Sequence, residues 1–160
     1  MSEQVISVLP AANGPLHCPR QVAHPLPEAC MTIPDSHRDL LDAGVATLAT
    51  VGPDGRPQVT AVWFLAVGDA VRLSLNEARQ KVKNLARNPV AGILILDVAR
   101  PSRYLELRGT VEIAPDPDYV FATLVGNKYG SDIRHFDGPG ESRVVVTLKP
   151  TRVVAVDLRG

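Results

Sequence analysis

VATLATVGPDGRPQVTAVWFLAVGDAVRLSL, residues 45–75, sets the fold class. Val45, Thr47, Ala49 and Val51 alternate with Ala46, Leu48 and Thr50, which is the period of a strand with two different faces. Pro53-Asp54-Gly55 follows, and Asp-Gly tolerates the left-handed backbone that a tight hairpin needs. Residues 57–67 then read as a second strand, Gly68-Asp69 as a second tight turn, and residues 70–75 as a third strand. Three strands joined by tight turns predict an antiparallel meander. A parallel α/β sheet would need crossover helices here, and there is no room for them.

The flanks extend this pattern. Asn76 stands where an N-cap would, ahead of EARQKVKNLARNP, in which Val82, Leu85 and Ala86 share one helical face and Pro89 stops the helix. VAGILILDV (90–98) reads as a buried strand. RYLELRGTVEI (103–113) sets Tyr104, Glu106, Arg108 and Thr110 against Leu105, Leu107, Gly109 and Val111. Asp116 is placed to cap a helix over about 118–129. Residues 143–149 and 151–158 supply the last β segment, expected to break at Pro150. Upstream, Asp35 or Ser36 can cap a short helix that Gly44 ends. Residues 1–34 hold six of the 14 prolines, a density that opposes helix and central strand alike. The expected organisation is a proline-rich arm, 1–34, and one domain, 35–160. About six antiparallel strands with two or three short helices make this a mainly β chain, a closed or partly closed barrel.

Composition narrows the function. The 17 cations balance 17 anions, so no bulk field draws in nucleic acid or anionic lipid. Aromatic residues are 4%, which leaves few platforms for stacking RNA bases. No apolar run reaches the ~18 residues of a membrane span, and the N-terminus lacks a signal-peptide pattern, so a cytoplasmic protein with reduced Cys18 and Cys30 is expected. His17, His24 and His37 lie near those cysteines without the spacing of a metal site. No G-x-G-x-x-G, G-x-x-x-x-G-K-[ST] or G-x-S-x-G motif is present.

One stretch carries chemistry. SLNEARQKVKNLARNP (74–89) places Arg79, Lys81, Lys83 and Arg87 on one short helix. Free N–H groups and the dipole at a helix start favour an anion, and Arg79 and Lys81 lie beside that start. Ser74 and Asn76 can donate to the same ligand. A solvated face, with Glu77 pairing Lys81 at i, i+4, explains the charge equally well. Spacing alone leaves both readings open.

Taken in order, GVATLATVGPDGRPQVTAVWF, RQKVKNLARNPVAGILILD, YLELRGTVEI and RVVVTLKPTRVVAV resemble the pyridoxamine 5′-phosphate oxidase-like split-barrel flavoproteins, and within them the branch that uses the deazaflavin coenzyme F420. The resemblance covers about residues 35–158. It implies an α+β fold dominated by a six-stranded antiparallel split β-barrel of the FMN-binding type. It implies a homodimer with cofactor sites at the interface. Arg79 and Lys81 would hold the cofactor phosphate, Pro57, Gln58, Val59 and Thr60 would run along the ring, and Ser74 and Leu75 would face the phosphate linker. Asn84 would support the loop, and Tyr104 would reach the partner's ring. The implied activity is hydride transfer between F420 and a small organic substrate. The alternatives are an FMN-dependent oxidase or reductase of the same fold, and a non-catalytic F420-binding protein. The proline-rich arm lies outside the family pattern. So does this chain's lack of the fuller substrate-binding and FMN-binding pattern of true pyridoxamine phosphate oxidases, which argues against a vitamin B6 role. No side chain stands out as a proton donor, and no catalytic residue is assigned. For Trp63, core, dimer contact and ring neighbour all fit; Tyr129 reads as packing, and Arg134 and His135 as loop residues.

Overall fold

The structure is a computed structural model, and it describes residues 32–158. Cys18, Cys30, His17 and His24 lie outside the described residues, as does most of the arm. A 3-10 helix at Asp35–Asp42 leads into β1 (Ala46–Val51), β2 (Pro57–Val62), β3 (Leu65–Val67) and β4 (Ala70–Asn76). Then come α1 (Gln80–Arg87), β5 (Val90–Leu96), β6 (Arg103–Pro115), α2 (Val120–Tyr129), a second 3-10 helix (Ile133–Phe136) and β7 (Arg143–Asp157). All neighbouring strands are antiparallel, in the order β2-β1-β5-β6-β7-β4-β3. The sheet therefore has seven strands, not the expected six.

The extra strand comes from the segment 57–67. It does not run as one strand of a meander. It breaks at Trp63-Phe64, and its halves, β2 and β3, lie at opposite edges of the sheet. Phe64 causes the break. Its side chain is fully buried, and its N–H donates to the Tyr129 hydroxyl at 3.0 Å instead of to a ladder. Three Cα steps separate Val62 from Leu65, a span of no more than about 11 Å. Two edges joined by so short a link force the sheet to curl until they approach each other. No ladder joins them among the described residues, so the barrel stays open along a seam.

Inside the curl lies one apolar core. Leu48, Phe64, Leu73, Leu85, Ile93, Ile95, Leu105, Leu107, Val146 and Leu148 are almost wholly removed from water. Each such side chain contributes about 1.5–3 kcal/mol by burial. The core begins at Ile33, ahead of the boundary expected at residue 35. A smaller cluster, Phe121, Ala122, Val125 and Ile133, sits under α2.

Local expectations fared unevenly. Pro150 does not break β7. It sits at a bulge opposite Gly109, where a ladder bond is lost anyway, so its missing N–H costs little. Gly109 is required there: a Cβ would come within 2.0 Å of the Lys149 carbonyl oxygen. The N-cap of α2 is Tyr119, not Asp116, but the Asp116 carboxylate still accepts the first-turn N–H groups of Phe121 at 3.2 Å and Ala122 at 2.9 Å. Neither Asp35 nor Ser36 caps the first helix, whose N-cap is Pro34. The Asp35 carboxylate instead takes Arg38, and the Ser36 hydroxyl meets His37. Arg103 fastens this helix to β6 by donating to both oxygens of Asp39, at 2.8 and 2.5 Å. His37 is buried, with Nε2 donating to the Val156 carbonyl at 3.1 Å.

Candidate functional site

The seam is where the site forms. β3 is three residues long and pairs only with Ala70, Val71 and Arg72 of β4, so residues 73–76 of β4 present a bare edge. β2 is the bare edge on the other side. A cavity of about 620 Å³ opens between them, lined by Gln58, Thr60, Ala61 and Val62 of β2 and by Ser74, Leu75 and Asn76 of β4.

One end is cationic. The helix α1 starts at Gln80, four residues later than an Asn76 cap would place it. Asn76 ends β4 instead. Its Oδ1 accepts the Ala78 N–H at 2.9 Å, and its amide donates to Asp137 at 2.8 Å and Glu141 at 2.6 Å. Arg79 is consequently the N-cap residue and Lys81 stands in the first turn. The N–H groups of Gln80 and Lys81 precede the first helical bond, from Val82 N–H to the Arg79 carbonyl at 3.0 Å, and so point out of the helix start. Glu77 lies outside the helix, and its carboxylate accepts from the Ser142 hydroxyl. The expected Glu77–Lys81 pair is therefore not made, and neither Arg79 nor Lys81 has an ion-pair partner among the described residues. Burial, with the Arg79 charge adding to it, holds the Lys81 ammonium below the usual lysine range. An anion placed here would relieve both effects.

The buried face of α1 differs from the expected stripe. Val82 and Leu85 are buried as expected, but Ala86 is exposed and Asn84 takes the inward place. The Asn84 amide donates to Thr50 Oγ1 and Gln58 Oε1, both at 3.1 Å, and its oxygen accepts from Gln80 at 2.8 Å. It holds Gln58 to the helix without lining the cavity itself. Between the two ends, Thr60 Oγ1 is fully buried and has no hydrogen-bond partner.

The opposite end is aromatic. Trp63 stacks on Tyr129 with ring centres 4.5 Å apart and planes within 5°, while Phe136 stands at 86° to it at 5.6 Å. Burial pushes the Tyr129 hydroxyl up, against the hydrogen bond to Phe64. Behind Ser74 lies a buried ion pair: Arg143 donates to both oxygens of Asp137 at 2.5 and 2.9 Å, and its Nη1 lies 3.3 Å from Ser74 Oγ. Burial alone would raise the Asp137 carboxyl, but hydrogen bonds from Arg143 and Asn76 outweigh it and hold the group low.

The cavity thus gathers Gln58, Thr60, Ser74, Leu75, Arg79 and Lys81 from the expected set. Pro57 and Val59 alternate onto the outer face of β2, and Val59 is 61% exposed. Tyr104 lies on the outer face of β6, paired with Leu96 and away from the cavity. Sequence reasoning missed Gln80, Ile133, Phe136 and Arg143 as lining residues. Arg143 carries no sequence signal, since an arginine at a strand start usually faces water. Among the described residues, no group of three metal-ligating side chains converges, and no helix is long and apolar enough to cross a membrane.

Comparison with known proteins agrees with this architecture. A solved structure named F420 reductase is 36% identical, covers 76% of this chain and 98% of its own, and superposes with a TM-score of 0.67. A conserved hypothetical protein from Mycobacterium tuberculosis is 25% identical, over 79% of this chain and 86% of its own, with a TM-score of 0.65. A heme binding protein from Mycobacterium smegmatis, 23% identical with a TM-score of 0.60 over 78% of this chain and 55% of its own, shares the fold. Residues 33–157 match the family described as pyridoxamine 5′-phosphate oxidase, and the chain belongs to that family.

Proposed function

We propose that this protein is an F420-dependent oxidoreductase that passes a hydride between the deazaflavin and a small organic substrate. The observation that carries the reading is the pair Arg79 and Lys81 at the start of α1, opening onto the seam cavity with no ion pair to a carboxylate among the described residues, although Glu141 lies near enough to feel the Arg79 charge. A phosphate suits that corner better than solvent does, because Lys81 is already partly desolvated beside a second cation. Thr60 lines the same cavity half-way along β2. When bound, the cofactor supplies the hydride chemistry; Arg79 and Lys81 anchor it, Gln58, Thr60, Ser74 and Leu75 orient it, and the cavity walls exclude water. No Asp, Glu or His is among the described residues lining the cavity, which favours catalysis by positioning over general acid chemistry.

The 36% identity to the F420 reductase supports the deazaflavin. The second reading, an FMN-dependent oxidase or reductase, is favoured by the family description. A non-catalytic F420-binding protein would use the same anchors. The reading includes a cytoplasmic homodimer. Val51, Val59, Val90 and Leu96 leave an apolar patch on the outer face of β1, β2 and β5, each more than a third exposed, and a second copy is the natural cover. Tyr104, on the same face, would then approach the partner's site.

The test is to titrate the purified protein separately with F420 and with FMN and follow cofactor fluorescence. Tight binding of F420 alone supports the reading, tight binding of FMN alone replaces it with the second, and binding of neither sinks both. Sedimentation showing a monomer at micromolar concentration would remove the interfacial arrangement.

A further inference from the structure

We infer that the corner between Trp63 and Phe136 is a substrate subsite for a flat, uncharged, conjugated ring. The inference rests on the proposed function, because it assigns the cationic end of the cavity to the cofactor phosphate. The cavity is lined by two chemically distinct groups of side chains. Arg79 and Lys81 mark one. The other is built from Val45, Val62, Trp63, Ile133 and Phe136; the charge lining it, Arg143 on the Ile133 carbonyl, is already paired with Asp137. A ligand anchored by its phosphate at the first end leaves the second for another molecule.

The geometry of the second end is specific. Trp63 is fixed, since Tyr129 covers one face of its ring and the Tyr129 hydroxyl is held by the Phe64 N–H at 3.0 Å. Phe136 meets Trp63 at nearly a right angle and is 53% exposed, so its ring is displayed and not spent on the core. Two perpendicular rings lining one cavity accept a third ring face-on to one and edge-on to the other, which is how aromatic quadrupoles pair best. A saturated ring of the same size has neither a π-face nor a flat edge. The corner therefore discriminates by planarity, whereas a plain apolar pocket discriminates by volume.

Trp63 is the single tryptophan of the chain, so its emission reads this corner directly. The F420-loaded protein is titrated with naphthamide and with its fully saturated counterpart, with equilibrium dialysis as a second readout. Naphthamide is expected to bind about tenfold or more tighter and to change Trp63 emission. Phe136→Ala should shrink that preference about 2- to 10-fold, and Trp63→Leu, followed by dialysis, should shrink it similarly. Cofactor affinity should stay within about twofold in Phe136→Ala. Circular dichroism verifies that each variant is folded. Equal affinity for the flat and saturated probes overturns the inference, and so does displacement of F420 by naphthamide, which would give the corner to the cofactor ring. A protein that binds neither F420 nor FMN sinks the proposed function. In that unloaded protein a preference for the flat probe still supports the corner as a binding site, and no preference overturns it.

Discussion

Four substitutions on one helix separate an anion site from a solvated face. Arg79→Ala and Lys81→Ala remove the two cations at the start of α1, whereas Lys83→Ala and Arg87→Ala remove cations at the end of its first turn and in its last turn, exposed and outside the cavity. A charge-assisted hydrogen bond to phosphate contributes about 1.5–3 kcal/mol, so either of the first two should weaken cofactor binding about 10- to 150-fold. Lys81 should fall in the upper part of that range, because partial burial reduces the screening of its charge. The helix field fades beyond the first turn, and an exposed charge contributes about 1 kcal/mol at most, so Lys83→Ala and Arg87→Ala should change affinity by under about fivefold. The assay is a set of fluorescence titrations at one fixed salt concentration, with thermal melts to show that all four variants fold. Equal, small losses across the four would refute the anion site and return the helix to solvent.

Further outcomes concern the stability of the fold. Asp137→Asn leaves the Arg143 guanidinium buried without its carboxylate and should cost about 3–5 kcal/mol in urea denaturation. Because the Asp137 carboxyl is held low, its contribution is complete above about pH 4 and is lost as pH falls through the depressed native value; wild type should lose stability over that window more steeply than Asp137→Asn. Tyr129→Phe should destabilise by about 1–3 kcal/mol through the orphaned Phe64 N–H, while Trp63 emission stays near that of wild type because the stacked ring remains. We propose that the arm before Thr32 can be removed with little change in melting temperature. A chain starting at Asp35 also loses Ile33, 2% exposed, and should be weaker by about 2–5 kcal/mol in the same melts.

What the sequence made legible was whatever depends on near neighbours. The β1–β2 hairpin, the alternation of β6 and the Asp116 carboxylate at the start of α2 follow from residues within a few positions of each other. The break at Trp63-Phe64 does not, because an unbroken apolar run, Ala61 to Val67, passes through it without a mark; the burial of Phe64 across the fold accompanies the end of the strand there. Asn76 makes the same point. Its local chemistry suits an N-cap, but its amide is taken by Asp137 and Glu141, 61 and 65 residues away. Pro150 breaks strands by a local rule, and it is accommodated because Gly109 lies opposite it on another strand. The cationic end of the site was legible because a helix start is a local feature. Phe136 and Arg143 were not, since they reach the cavity from a loop and a strand start distant in the chain.

The two-residue link across the seam also fixes how the cleft can move. Trp63 and Phe64 tie the two sheet edges covalently at one end only. At the other end the boundary is held by side chains such as Asn84 on Gln58 and Asn76 on Glu141. Those bonds can open and close, whereas the peptide link cannot lengthen. The cleft is therefore built like a book on its spine. Trp63 lies at the spine, where the link is covalent, while the cationic lip is held by side-chain hydrogen bonds.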